Sequence, residues 1–184
     1  MKLATQSDHL QQALAEVRRH QEYTKAKAYE LKEHFESERA AKRKMIRKRG
    51  GKVPYSALVL LVKCPSNTMS IVWAASHVRG KGEARRSYSN HLRKGRVSLA
   101  YNMETLMKRA ADYEKALVSQ AEHEATCLRY DWKALREEEK LLTRLQRERV
   151  ASYEPIRHRI NEGNEQEKLT PFVPSPMEPL PSQP

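Results

Sequence analysis

The chain has 184 residues, of which 39% are hydrophobic and 32% charged, with a net charge of +12 and a mean hydropathy of −0.85. This is the length of one ordinary domain with little apolar mass, so a single structural domain with thin cores, an elongated body and a loose tail is expected. Two cysteines, Cys64 and Cys127, exclude a disulfide framework, and the longest apolar run, Ala57 to Val62, is too short for a bilayer span. With a polar N-terminus that lacks a signal-peptide core, the expectation is a soluble, cytoplasmic protein.

The first element is a long helix over 7–48. Ser7 or Asp8 can cap it, and no Gly or Pro interrupts it before Gly50. Leu10, Leu14, Val17, Ala28, Leu31, Phe35 and Met45 fall at alternating steps of four and three. Gln21, Thr24, Glu38 and Lys42 interrupt the same register. That is a narrow, imperfect coiled-coil seam, which serves a helical hairpin or a dimer equally well.

Over 53–101 the period changes. "YSALVLLVK" and "TMSIVWAASHV" flank "CPSN", whose Pro65 and Asn67 supply turn chemistry, and this pattern predicts a β-hairpin. Trp73 lies in the alternating second strand and is expected in the core. "ARRSYSNHL" and "RVSLAY" are expected to add two strands, separated by "RKG", to complete an antiparallel meander.

A second long helix is expected over 102–153, capped by Asn102. Its apolar stripe comprises Leu106, Ala110, Tyr113, Leu117, Ala121, Leu128, Trp132, Leu135 and Leu142, with Glu124 and Glu139 in the gaps. Glu122 and Glu124, beside His123, read as solvated helix surface. Pro155 marks the helix end or a boundary near it. The segment 161–184, polar and then Pro-rich, is expected to be a disordered tail. The resulting fold class is α+β: two long antiparallel amphipathic helices flanking a small antiparallel meander.

The positive charge is concentrated. Arg39 to Lys52 carries eight basic residues and no acid, while Arg79 to Arg96 carries seven and only Glu83. Together these segments hold +14 against +12 for the whole chain, so the remainder is slightly acidic. Concentrated charge builds a local potential suited to a polyanion. The candidate nucleic-acid contacts are Arg43, Lys44, Arg47, Lys48, Arg49 and Lys52 at the end of the first helix. In the turns they are Arg79, Lys81, Arg85, Arg86, Tyr88, Arg93, Lys94 and Arg96. All are expected to converge at one end of the molecule, gathering into a single field. Catalysis is not expected, since there is no HExxH, GxxxxGK[ST], GxGxxG or GxSxG motif. No cofactor or metal site is expected either.

The layout of a long helix, the "SALVLLVKCPSNTMSIVWAASHV" hairpin, the "HLRKGR" turn and a charged helix opening "YNMETLMKRAADYEKALVSQ" resembles the MobI-type mobilisation proteins of conjugative plasmids and integrative elements. The resemblance covers about Leu31 to Leu145 and rests on Trp73, the Leu92–Gly95 turn and Tyr101. It implies a DNA-binding accessory factor that acts at the origin of transfer and helps a relaxase assemble, and it carries over no catalytic residue. A helical adaptor docking a protein partner and an RNA-binding factor are the alternatives. Duplex DNA and a relaxase or other relaxosome protein are the partners expected.

Overall fold

The structure, a computed structural model, describes residues 2–79, 86–94 and 98–169; side chains are described for 8–77, 88–94 and 98–151. The chain divides into two compact units, Met1–Leu142 and Thr143–Pro184.

Helix α1 (Lys2–Lys48) starts five residues before the expected boundary and ends where it was expected to. Its seam follows the predicted register from Leu14 through Phe35, and the polar positions Gln21 and Thr24 are buried along with the apolar ones. Each has a partner that explains how a polar group is tolerated there. The Gln21 amide donates to Glu139 Oε2 at 3.0 Å, and the Thr24 hydroxyl to the His20 carbonyl at 2.8 Å. Met45, expected in the seam, is 53% exposed. The helix stops in a Schellman-type cap: Gly51 N–H bonds Ile46 O and Gly50 N–H bonds Arg47 O, each at 3.0 Å. Gly50 supplies the φ of 74° that this cap requires.

Strands β1 (Leu58–Lys63), β2 (Ser70–Arg79) and β3 (Arg86–His91) form an antiparallel sheet in the order β1-β2-β3. The β1–β2 turn is the expected one. Thr68 N–H and hydroxyl both bond Pro65 O, with Ser66 at φ 51°. In register, Leu60 faces Trp73 and Leu58 faces Ala75. These four side chains, together with Ile71, are buried and make one continuous apolar face. The expected fourth strand is not formed by its residues 98–101, and residues 96 and 97 lie outside the described residues.

The expected helix from 102 is broken. Helix α2 (Met103–Met107), capped as predicted by the Asn102 side chain accepting from Thr105 N–H at 3.1 Å, is followed by a 3₁₀ turn at Asp112–Glu114. Helix α3 (Lys115–Leu169) then begins. The cause of the break is Glu114, which is fully buried: its carboxylate accepts from Ala111 N–H at 3.2 Å and from Ser56 Oγ. The backbone of α3 runs through Pro155, where a stop was expected, and past residue 161. The segment from 170 lies outside the described residues.

Within the first unit, α1 and α3 are antiparallel. Arg18 and Gln21 meet Glu139, Lys25 lies over Trp132, and Arg39 meets Glu114. The core joins Leu31 and Phe35 of α1 to Leu60 and Trp73 of the sheet and to Leu106, Val118, Ala121 and Ala125. Phe35 meets Trp73 edge-on at 5.3 Å.

Candidate nucleic-acid interface

Along most of α1, cations are matched by acids one turn away. Arg19 pairs with Glu16, Lys25 with Glu22, Lys27 with Glu30 and Lys32 with Glu36. This pattern ends at Glu36, and after Glu38 no Asp or Glu follows until Glu83. Beyond it, Lys44, Arg47, Lys48, Arg49 and Lys52 are exposed and form no ion pair among the described residues. The helix dipole favours a cation in the last turn by only about 0.3–1 kcal/mol and acts within that turn. It accounts for Arg47 and Lys48, but not for a run of five.

Two arginines of the same stretch are used internally. Arg39 lies 2.8 Å from Glu114 Oε2 and donates to Leu58 O at 2.7 Å, bracing α1 against both β1 and the α3 entry. Its Nε–H is not aimed along the Glu114 vector, so that contact is an ion pair without an aligned hydrogen bond. Arg43, a predicted contact, is half-buried and donates from Nε to the Tyr113 hydroxyl at 2.7 Å.

The turn residues separate. Antiparallel to β1, α1 places Tyr29 beside Cys64 and Arg39 beside Leu58. Strand β2 therefore advances in the same direction as α1. Its last residue, Arg79, and the Cα partner of that residue, Arg86, stand at the sheet end toward which the basic turn of α1 points. Their side chains are outside the described residues, as are Lys81, Arg85 and Arg96 altogether. Tyr88 lies on β3 and is 49% exposed.

Arg93 and Lys94 follow β3 back to the opposite end. Leu92 N–H bonds Trp73 O, and Lys94 lies over the Tyr101 ring at 5.7 Å. At about 3.3 Å per residue, the eight steps from Ile71 to Arg79 separate the two ends by roughly 25 Å. The single field expected from the sequence is thus two fields, because a strand pair carries its two flanking turns to opposite ends. At the Lys94 end, burial first and the nearby Arg129 second hold the ammonium below its usual pKa, against the attraction of Glu122.

The residues that hold this end together were not found in the sequence. Glu122, read as solvated surface, is 2% exposed. It accepts from Trp73 Nε1 and Tyr101 N–H, each at 2.7 Å, and is bridged by both terminal nitrogens of Arg129, at 3.0 and 3.1 Å. Arg129 also donates to Ile71 O and Leu99 O. The available signal was the seven-residue spacing of Glu122 and Arg129, which puts opposite charges on one helix face in step with Ala125 and Trp132.

Two helices clasped over a three-stranded antiparallel sheet, with one helix ending in unpaired cations, define an α+β protein with an exposed cationic end. The family model described as MobI protein matches residues 24–143, from the middle of α1 through the sheet and into α3. The chain therefore belongs to the MobI family, and it is a conjugative mobilisation protein. No curated protein and no solved structure matches it. Among the described residues, no helix is long and apolar enough to cross a membrane.

Proposed function

We propose that this protein is a non-enzymatic, DNA-binding accessory factor of conjugative transfer that acts at the origin of transfer and supports relaxase assembly there. The observation that carries this reading is the change in charge pairing along α1: matched up to Glu36, unmatched among the described residues from Lys44 to Lys52. Unpaired exposed cations in a short span gain most from a polyanion, because each phosphate contact releases condensed counterions. The backbone of Arg79 and Arg86 is paired at the same end of the sheet. Family membership supplies the biological setting. The nature of the contacts favours phosphate positioning over base reading, since lysines and arginines on one helix end carry no base-specific pattern by themselves.

The test is a gel-shift comparison on an origin-of-transfer duplex. Replacement of Lys44, Arg47, Lys48, Arg49 and Lys52 by Ala should abolish the shifted band at protein concentrations where the wild type saturates. A band of wild-type intensity from that variant would remove the proposal. A relaxase recovered with the tagged protein only while DNA is intact would support the assembly role.

A further inference from the structure

At the sheet end remote from the basic turn of α1, Ile71, Lys94, Leu99, Arg129, Trp132 and Lys133 line a recess of about 270 Å³. Its wall is part apolar and part cationic. The charge of Arg129 is committed to Glu122, and the rim residue Arg136 to Glu139 at 2.5 Å. Glu137 feels Lys133, but its carboxylate is held by Lys140 at 2.8 Å. Lys94 and Lys133 are thus left without a hydrogen bond or salt bridge among the described residues. Lys94 is also partly withdrawn from water, so its donors are incompletely served by solvent.

We infer that this recess takes one phosphate of an unpaired nucleic-acid strand, held between Lys94 and Lys133, with the attached base or sugar against the half-buried Leu99. The inference rests on the nucleic-acid reading above for the class of ligand, and on the recess for its form. A duplex keeps its bases stacked inside a cylinder far wider than this recess, so it can set a phosphate at the mouth but cannot carry the attached base or sugar in. An unpaired strand bends and splays its bases, so a phosphate and its neighbouring flat group can enter together. The roughly 25 Å between this recess and the far sheet end makes it a second, separate contact rather than a continuation of the first.

The experiment uses the full chain and a fluorescein-labelled oligothymidylate of about ten nucleotides, within the usual span of a single-strand site. Fluorescence anisotropy is read beside a random duplex and a polyglutamate peptide. A Lys94→Gln/Lys133→Gln variant should lose at least about tenfold in oligothymidylate affinity, the scale of one lost base-stacking or phosphate contact, and hold duplex binding within about twofold. The α1 variant should show the reverse. Circular dichroism confirms that both variants are folded. Oligothymidylate binding unchanged in the Lys94/Lys133 variant overturns the inference. So does wild-type binding of polyglutamate but not oligothymidylate through these lysines, which would assign the recess to an acidic protein segment. Lys94-dependent oligothymidylate binding without duplex binding by the wild type would support the recess while removing the α1 surface.

Discussion

Trp73 donates its indole N–H to Glu122 Oε2 across 2.7 Å, joining the central strand to α3 inside the core. The same carboxylate is closed by Arg129, so a buried ion pair with full hydrogen bonding sits where an all-apolar contact would otherwise be. Such a pair adds little net stability over an apolar replacement, but removing one member leaves an uncompensated buried charge.

Glu122→Leu or Arg129→Met alone should therefore destabilise the fold by about 3–5 kcal/mol. The double replacement Glu122→Leu/Arg129→Met should recover part of that loss, since Trp73 Nε1–H and Tyr101 N–H still lose their acceptor. Urea denaturation of the four proteins in the cycle measures it. If the double variant is as unstable as the sum of the two single variants, the two residues are not coupled as described.

Arg39 and Lys44 are five residues apart in one basic run and should behave oppositely. Arg39→Ala strips Glu114 of its counter-charge and should cost about 3 kcal/mol or more. Lys44→Ala, on an exposed face, should stay within about 0.5 kcal/mol of wild type. Thermal or chemical unfolding separates the two. Equal effects would mean that the Arg39–Glu114 contact is not formed.

This contrast shows what could be read from the residues. The α1 seam was legible down to Gln21 and Thr24, because the four-three spacing continues through polar positions. The β1–β2 hairpin was legible from Pro65 and Asn67. The buried face of α3 was legible only in part: Ala121 and Trp132 of the expected stripe are buried. The leucines Leu117 and Leu128 drew the stripe one position away from Val118, Ala125 and Arg129, which are the more deeply buried residues. The break before α3 had no Gly or Pro to announce it, since it arises from the long-range demands of Arg39 and Ser56 on Glu114. Of the interface, the unpaired turn of α1 was visible as a run without acids. The separation of Arg93 and Lys94 from Arg79 depends on strand direction, which no local charge count contains.

Lys94 gives a pH signature. Burial and Arg129 lower its pKa from 10.5, so the folded state releases this proton at a lower pH than the unfolded chain does. Between the lowered value and 10.5 the unfolded state binds more protons, and the contribution of Lys94 to stability rises with pH. Below that window its charge opposes folding. Lys94→Met should therefore be at least as stable as wild type at neutral pH, and its advantage should shrink as pH rises toward 10.5. Denaturation midpoints of the two proteins across that range give the answer, and a gap that widens with pH would reverse the assignment.

Phe35 meets Trp73 edge-on from the α1 side, and truncating it opens the core between helix and sheet. Phe35→Ala should cost about 3–5 kcal/mol. The chemical-denaturation midpoint should fall, while near-neutral loss would show that α1 does not close the core there.

The unpaired turn of α1 is tested most directly by the salt dependence of binding to a random duplex. Each phosphate neutralised contributes a slope of about −0.9 in log affinity against log salt. Replacing Lys44, Arg47, Lys48, Arg49 and Lys52 by Ala should make the slope shallower by about 4.5 if each cation meets its own phosphate. Parallel lines for wild type and variant would show that these side chains do not touch the DNA backbone.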